Sequence, residues 1–470
     1  MKNKIIIILA VICFAACKIP ALVGKQENKT VPAYYNTASD TTNIASIKWR
    51  NYFTDPYLIA LIDSALKNNQ ELNIALREIE MDKNEIEARK GEYLPFVNVG
   101  GAAGVDKTGR YTWDGLSEED LKTNPDKGPK YIGDFRTGIY ASWELDVWKK
   151  LRTAKKSAAL KYLSTIEGRN FMVTNMIAEI SSSYYELLAL DNMMSIIKQN
   201  IDLQQSALKM VKLEKEAAKV SQLAVNRFEA QLLHTQNLQY DIQQQIIETE
   251  NKINYLAGRF SQHVARTNIS LNEIPVDMVQ SGIPTQLLLN RPDIRQAELT
   301  LAASKLDVQV ARANFYPSFR LTAGTGFTAF NPGFLFAPAS LLYNLAGDAV
   351  GPLINKYGIT AVYKNANEKQ IISAYEYERT ILSACIEVAN QLAFINNYKS
   401  SYETKSKEVE ILNQSVDISN KLFISSKADY IEVLLTQREA LDSRIELIET
   451  KLKQLQAKVN IYRTLGGGWN

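Results

Sequence analysis

Histidine and cysteine are nearly absent. The chain has two histidines, His234 and His263, and three cysteines, Cys13, Cys17 and Cys385. Neither histidine has a cysteine or carboxylate set at metal-ligand spacing, so both read as surface residues. If the chain is cut before Cys17 and Cys17 is blocked, no disulfide pair remains. After the N-terminus no run of 18 apolar residues occurs, which excludes a transmembrane helix. No glycine loop of phosphate-binding form is present, and Gly324-Thr325-Gly326 reads as part of a strand. No nucleophile stands with a base, so no enzyme and no cofactor are expected. The formal charge of +3 is close to balance and argues neither for nor against nucleic acid. Met172 with Met176, and Met193 with Met194, admit soft-metal export, but core filling is their commoner use.

What is present is organised around Gly282 to Gly326. From Pro292 the apolar residues Ile294, Ala297, Leu301, Val308 and Ala311 recur at helical spacing. At Pro317 the period switches to two. Phe319, Leu321, Ala323, Thr325 and Phe327 alternate with Arg320, Thr322, Gly324 and Gly326. A helix therefore runs into a strand across a proline, which cannot continue the helix. Pro95 marks the same switch earlier, where Val97, Val99, Gly101, Ala103 and Val105 alternate with small and polar residues. The expected strands are residues 96–106, 131–146, 318–328 and 340–353. About ten residues of such alternation suit a membrane β-barrel, and a soluble hairpin is the alternative. The lipid-side candidates carry no charge, which favours the membrane. Trp143 and Trp148 are candidates for an interfacial aromatic belt.

The N-terminus reads as a signal peptide over residues 1–16, with Lys2 and Lys4 before an apolar run and Ala15-Ala16 before Cys17. Phe14-Ala15-Ala16-Cys17 resembles a lipoprotein box, with Phe14 where Leu is usual, so Cys17 is the candidate lipidation site. Residues 17–54 read as a polar, extended, lipid-anchored tether. Asp55-Pro56 then starts a helix that breaks near Asn68-Asn69.

From Lys150 to Ala218 there is no proline and one glycine, Gly168. That predicts a helix of roughly 65 to 70 residues, about 100 Å long, packed as a coiled coil. A return helix follows from Ser221 to Gly258. A shift of 208 residues lays Lys156 on Lys364, Lys219 on Lys427, Val225 on Val433 and Gly258 on Gly466. The chain thus reads as two tandem copies of helix–strand–strand–long helix–helix. Residues 55–260 form the first, 292–470 the second, and 261–291 join them.

At this point the sequence resembles the TolC-type outer-membrane efflux channels, in their lipoprotein (NodT-like) branch. The carriers are Trp49 with Phe53-Thr54-Asp55-Pro56, Gly282-Ile283-Pro284, Arg291-Pro292-Asp293-Ile294-Arg295-Gln296-Ala297-Glu298 and Ala311-Arg312 with Phe315-Tyr316-Pro317-Ser318. The resemblance implies a mainly α fold with a membrane β-barrel. Three chains would close a 12-stranded β-barrel above a periplasmic α-helical barrel, with residues 261–291 in an equatorial belt. It implies lipid at Cys17, a periplasmic adaptor and an inner-membrane pump of the resistance-nodulation-division type, and no nucleic acid. Four strands alone cannot close a barrel, and edges cannot face lipid, so oligomerisation is physically required.

The resemblance also assigns the helix turns to adaptor docking: Ala218, Lys219 and Ser221 in copy one, Ser426 and Lys427 in copy two. The family usually carries glycine there, and this chain does not. A gating carboxylate of the family falls on Glu432, beside Asp429. A second falls on Leu435, and copy one has Ser221 and Ala224 at the equivalent positions. The alternative for Asp429 and Glu432 is a capping box at the start of the return helix. An exit duct for small molecules is the leading reading. A type I protein-secretion duct and a pore-less coiled-coil lipoprotein are the competitors.

Overall fold

A computed structural model describes residues 19–35, 43–107, 132–275, 282–425 and 427–469. Cys17, Ser426 and most of the connection between the first two strands lie outside the described residues. Among the described residues no helix is long and apolar enough to cross a membrane.

The elements follow the periodicities closely. In chain order they are α1 (Trp49–Tyr52), α2 (Pro56–Asn68), α3 (Gln70–Glu92), β1 (Phe96–Asp106), β2 (Ile132–Leu145), α4 (Lys150–Glu216), α5 (Gln222–Leu256), α6 (Leu287–Asn290), α7 (Pro292–Ala313), β3 (Ser318–Ala329), β4 (Leu341–Val350), α8 (Tyr357–Ile424) and α9 (Tyr430–Thr464). The strand ends expected at 146, 340 and 353 are each trimmed slightly, and 131 lies outside the described residues. Helices α4 and α8 have 67 and 68 residues, as an uninterrupted run without proline predicts.

The chain divides into two compact units. The first holds residues 1–26, 80–163 and 299–374. Its four strands form one antiparallel sheet in the order β1-β2-β3-β4. The central β2–β3 pairing joins copy one to copy two, with Gly138 opposite Gly326. Behind Pro317, Phe315 packs edge-on against Tyr363 at 5.6 Å. Ile19 and Leu22 close this cluster. Asn367 and Gln370 donate side-chain hydrogen bonds to the carbonyls of Val23 and Lys25 at 3.0 and 3.3 Å. The N-terminal segment is docked here rather than loose, and within the expected 17–54 tether Trp49–Tyr52 is helical, with Trp49 and Phe53 buried. Its apolar residues supply the reason.

The second unit holds residues 27–79, 164–298 and 375–470. Asp55 caps α2 through the amides of Tyr57 and Leu58. Its carboxylate also accepts from Tyr184 Oη at 2.7 Å and Thr267 Oγ1 at 2.9 Å. Burial, then the hydrogen bond to Asp55, push the Tyr184 hydroxyl well above its ordinary pKa. In the entry stretch Trp49 and Phe53 are buried, and Tyr52 stacks on Tyr462 with centroids 4.1 Å apart. Met176 and Met193 are buried, which fits core filling. His234 and His263 are exposed, and His263 Nδ1 lies 2.9 Å from Glu250.

The repeat is visible in the helix ends. Gly258 and Gly466 have φ of +67° and +91°. Each ends its helix with the same pair of bonds: Gly258 N to Tyr255 O with Arg259 N to Asn254 O, and Gly466 N to Arg463 O with Gly467 N to Tyr462 O. This is the Schellman motif, which needs a left-handed residue. A Cβ on Gly466 would stand 2.6 Å from Asn290 O. Glycine is thus required twice over, for its φ and for the close approach.

Candidate channel wall and helical tip

The sheet sorts its side chains by parity. Strand register pairs even positions with even and odd with odd throughout. All six charged residues of the four strands are even-numbered: Asp106, Asp134, Arg136, Glu144, Arg320 and Asp348. They fall on one face. The odd face carries Val97, Val99, Phe135, Ile139, Leu321 and Tyr343 among others, and no charge. Val99 and Tyr343 are 83% and 84% exposed in the single chain. Water does not stabilise such a face, and lipid does. The even face, with its ion pairs Arg136–Asp134 and Lys150–Glu144, suits water.

Among the described residues β1 pairs only with β2, and β4 only with β3, which leaves two sheet edges open there. At the end of β2, beside the starts of β1 and β3, Trp143 Nε1 donates to Tyr93 O at 2.9 Å and Trp148 Nε1 to Pro317 O at 2.7 Å. Trp148 also stacks on Tyr316 at 4.7 Å. Both indoles thus have satisfied polar ends, as interfacial tryptophans need.

In the second unit the helix turns form a tip. The α4–α5 turn is another Schellman motif: Lys219 N bonds Glu214 O at 2.9 Å and Ala218 N bonds Lys215 O at 3.0 Å. Ala218 takes the left-handed position with φ +56°. The expected departure from glycine is therefore one of residue and not of geometry. In copy two Lys427 N bonds Leu422 O at 2.9 Å, the same bond one repeat later. Ala218, Lys219, Ser221 and Lys427 are exposed. Both turns rest on one apolar cluster built on Val211, Val225 and Phe228, with Val220, Phe423 and Tyr430 packed against it. Beside it is a groove of about 350 Å³ that includes Met210, Asn413, Asp417, Asn420 and Arg444.

Asp429 and Glu432 are both exposed at the start of α9. Asp429 has the extended backbone of an N-cap, but its side chain makes no capping hydrogen bond. The capping box expected as one alternative is not formed. An exposed tip lets water serve the first-turn N–H groups instead. Ser221 likewise has no side-chain cap bond.

Arg291 is the residue whose role the sequence did not disclose. Its side chain is 6% exposed. It holds Asp293 at 2.7 and 3.0 Å and Glu387 at 2.9 Å, and donates to Thr464 O at 2.9 Å. Thr464 ends α9. In copy one Asn69 donates to Leu256 O at 3.0 Å, and Leu256 ends α5. The repeat shift lays Leu256 on Thr464. Asn69 and Arg291 therefore do one job, tying each return helix to a break in a neighbouring helix. The signal available was a lone arginine before the proline of a helix start.

Known proteins agree with this architecture. The family described as outer membrane efflux protein matches residues 61–259 and 283–467. The solvent efflux pump outer membrane protein SrpC of Pseudomonas putida is 26% identical over 478 residues, covering 100% of this chain and 99% of that protein. The probable outer membrane lipoprotein SilC of Salmonella typhimurium is 24% identical over 480 residues, with 100% and 99% covered. The open-state MtrE outer membrane channel of Neisseria gonorrhoeae shares the fold, with a TM-score of 0.84 at 20% identity over 96% of this chain and 98% of that one. The relatives of this chain are outer-membrane components of efflux pumps and not enzymes. With its charges on one face of the sheet and two long-helix hairpins, the chain belongs to the outer membrane efflux protein family.

Proposed function

We propose that three copies of this chain close one 12-stranded barrel and form a passive exit duct for small molecules. The sorting of all six strand charges onto one face carries this reading. It gives the sheet a wet side and a lipid side. The open edges of β1 and β4 supply the need for further copies, since an edge facing lipid leaves backbone groups unpaired. A trimer mass in detergent by light scattering, with stepwise conductance in planar bilayers, is expected. A monomer would refute it, and so would a trimer that stays non-conducting with its tip forced open.

In this reading the long-helix hairpins stand in the periplasm. The turns at Ala218, Lys219, Ser221, Ser426 and Lys427 meet an adaptor, which links the duct to an inner-membrane pump of the resistance-nodulation-division type. Cys17 carries lipid. The docking of Ile19 and Leu22 beside Phe315, at the foot of β3, supports that anchor, because it starts the described chain near the strands. Glu432 lines the closed tip, and three copies make an acidic ring that prefers cations. The exposure of Glu432 and the missing cap on Asp429 favour this use. Glu432→Gln is expected to lower cation preference in bilayers with no change in melting temperature. Unchanged selectivity would remove Glu432 from the pore. A protein-secretion duct of the type I system shares this fold. The relatives that export solvents or toluene favour the small-molecule reading.

A further inference from the structure

The β3–β4 connection is as apolar as the strands it joins. From Leu321 to Gly347 the sequence has no charged residue. Phe330, Phe334 and Phe336 are 68%, 55% and 73% exposed. Three bare aromatics facing water would be costly, at about 25 cal/mol per Å² of apolar surface. The connection has a definite direction. Phe336 packs on Phe327 with centroids 5.7 Å apart, and Phe327 is odd-numbered, on the uncharged face of the sheet. The loop therefore continues the lipid-facing surface and does not turn toward the charged face.

Its backbone is prepared for a dry setting. Within residues 332–340, Pro332 and Pro338 have no N–H to satisfy. Of the seven N–H groups that remain, five donate to acceptors within the loop, those of Gly333, Phe334, Leu335, Ala337 and Ser340. Asn331 Oδ1 accepts from Gly333 N at 2.8 Å, and Ser340 Oγ donates to Phe334 O at 2.7 Å. Internal satisfaction of this kind is what a segment needs where water is scarce. We propose that the loop Phe330–Ser340 is an aromatic wedge that sits in the outer-leaflet interface of the membrane, with Phe334 and Phe336 in contact with lipid. Its occupant is the lipid surface, by continuity with the odd face of the sheet. This rests on the membrane placement of that face. Aromatic rings favour this depth, where an apolar body meets a polar boundary.

The test is spin labelling in reconstituted lipid vesicles. Phe334→Cys and Phe336→Cys are made on a Cys385→Ser background, with Val99→Cys as the strand control on the odd face and Thr328→Cys on the even face. Collision with oxygen reports lipid, and collision with a water-soluble nickel complex reports water. Phe334 and Phe336 labels are expected to match Val99, with an oxygen-to-nickel ratio several-fold above that of Thr328. A ratio like that of Thr328 would put the loop at an aqueous mouth and overturn the wedge. Low access to both reagents would mean protein covers the rings, and would also overturn it. A Val99 label dominated by nickel would instead overturn the membrane placement itself, and the wedge with it.

Discussion

Replacing Arg291 with alanine isolates the tie between α7 and the end of α9. The change removes four hydrogen bonds at once. Breaking a buried ion pair costs about 3–5 kcal/mol, and an orphaned buried carbonyl costs about 1–3 kcal/mol. These terms are not additive, because Arg463 still holds Glu387 at 2.8 Å. A loss of about 3–5 kcal/mol per chain is expected. Asn69→Ala removes the equivalent tie in copy one, and also the bond from Leu72 N at 3.0 Å. It carries no charge, so a smaller loss of about 2 kcal/mol is expected. Acid separates the two variants. Burial alone would raise the pKa of Glu387, but the hydrogen bonds and charges of Arg291 and Arg463 outweigh it and hold the carboxyl below its usual range. A carboxyl depressed in the folded state contributes its stability above the unfolded pKa, near about 4.3. That contribution disappears as pH falls through the lower folded value. Guanidinium unfolding in detergent, followed by circular dichroism between pH 7 and pH 3, should show a weakened acid dependence in Arg291→Ala and a normal one in Asn69→Ala. Equal losses with identical pH profiles would refute the role given to Arg291.

Ala218→Gly should stabilise the tip by about 0.5–1 kcal/mol, since a left-handed alanine costs about 1–2 kcal/mol and glycine returns part of that as chain entropy. Gly466→Ala should instead lower the melting temperature by several degrees, through its φ and its approach to Asn290. Equal effects at the two sites would contradict both arguments. Cys17→Ser should abolish an acylated N-terminal peptide in mass spectrometry while leaving the protein folded, and an unmodified Ala16–Cys17 junction in the mature wild-type protein would exclude lipidation. In the proposed reading the Lys107–Lys130 connection faces the exterior, because the other ends of its strands join periplasmic helices; Gly115→Cys should then react with an impermeant thiol reagent on intact cells, and labelling only after outer-membrane rupture would refute that placement.

The sequence by itself determined every element whose cause is local. Alternation around Val97 to Val105 and Phe319 to Phe327 reflects the two-residue period of a strand. Pro95 and Pro317 mark where helix must stop. The run without proline from Lys150 sets a 67-residue helix. Gly258 and Gly466 end their helices because only a left-handed residue closes the motif. The repeat shift located the second copy from these features alone. Tertiary structure decided what depends on which surfaces meet. The pairing of β2 with β3 turned two hairpins into one sheet and aligned six charges on one face. Asn69 and Arg291 do not fall on each other under the repeat shift, and they differ in chemistry. They correspond only through the helix ends they bind. The docking of Ile19 to Lys25 depended on apolar and amide partners far along the chain, in Phe315, Tyr363, Asn367 and Gln370. The side of the sheet taken by the β3–β4 loop rested on one ring contact, Phe336 on Phe327. Local periodicity carries no information about that choice, because a loop of the same composition can fold to either face.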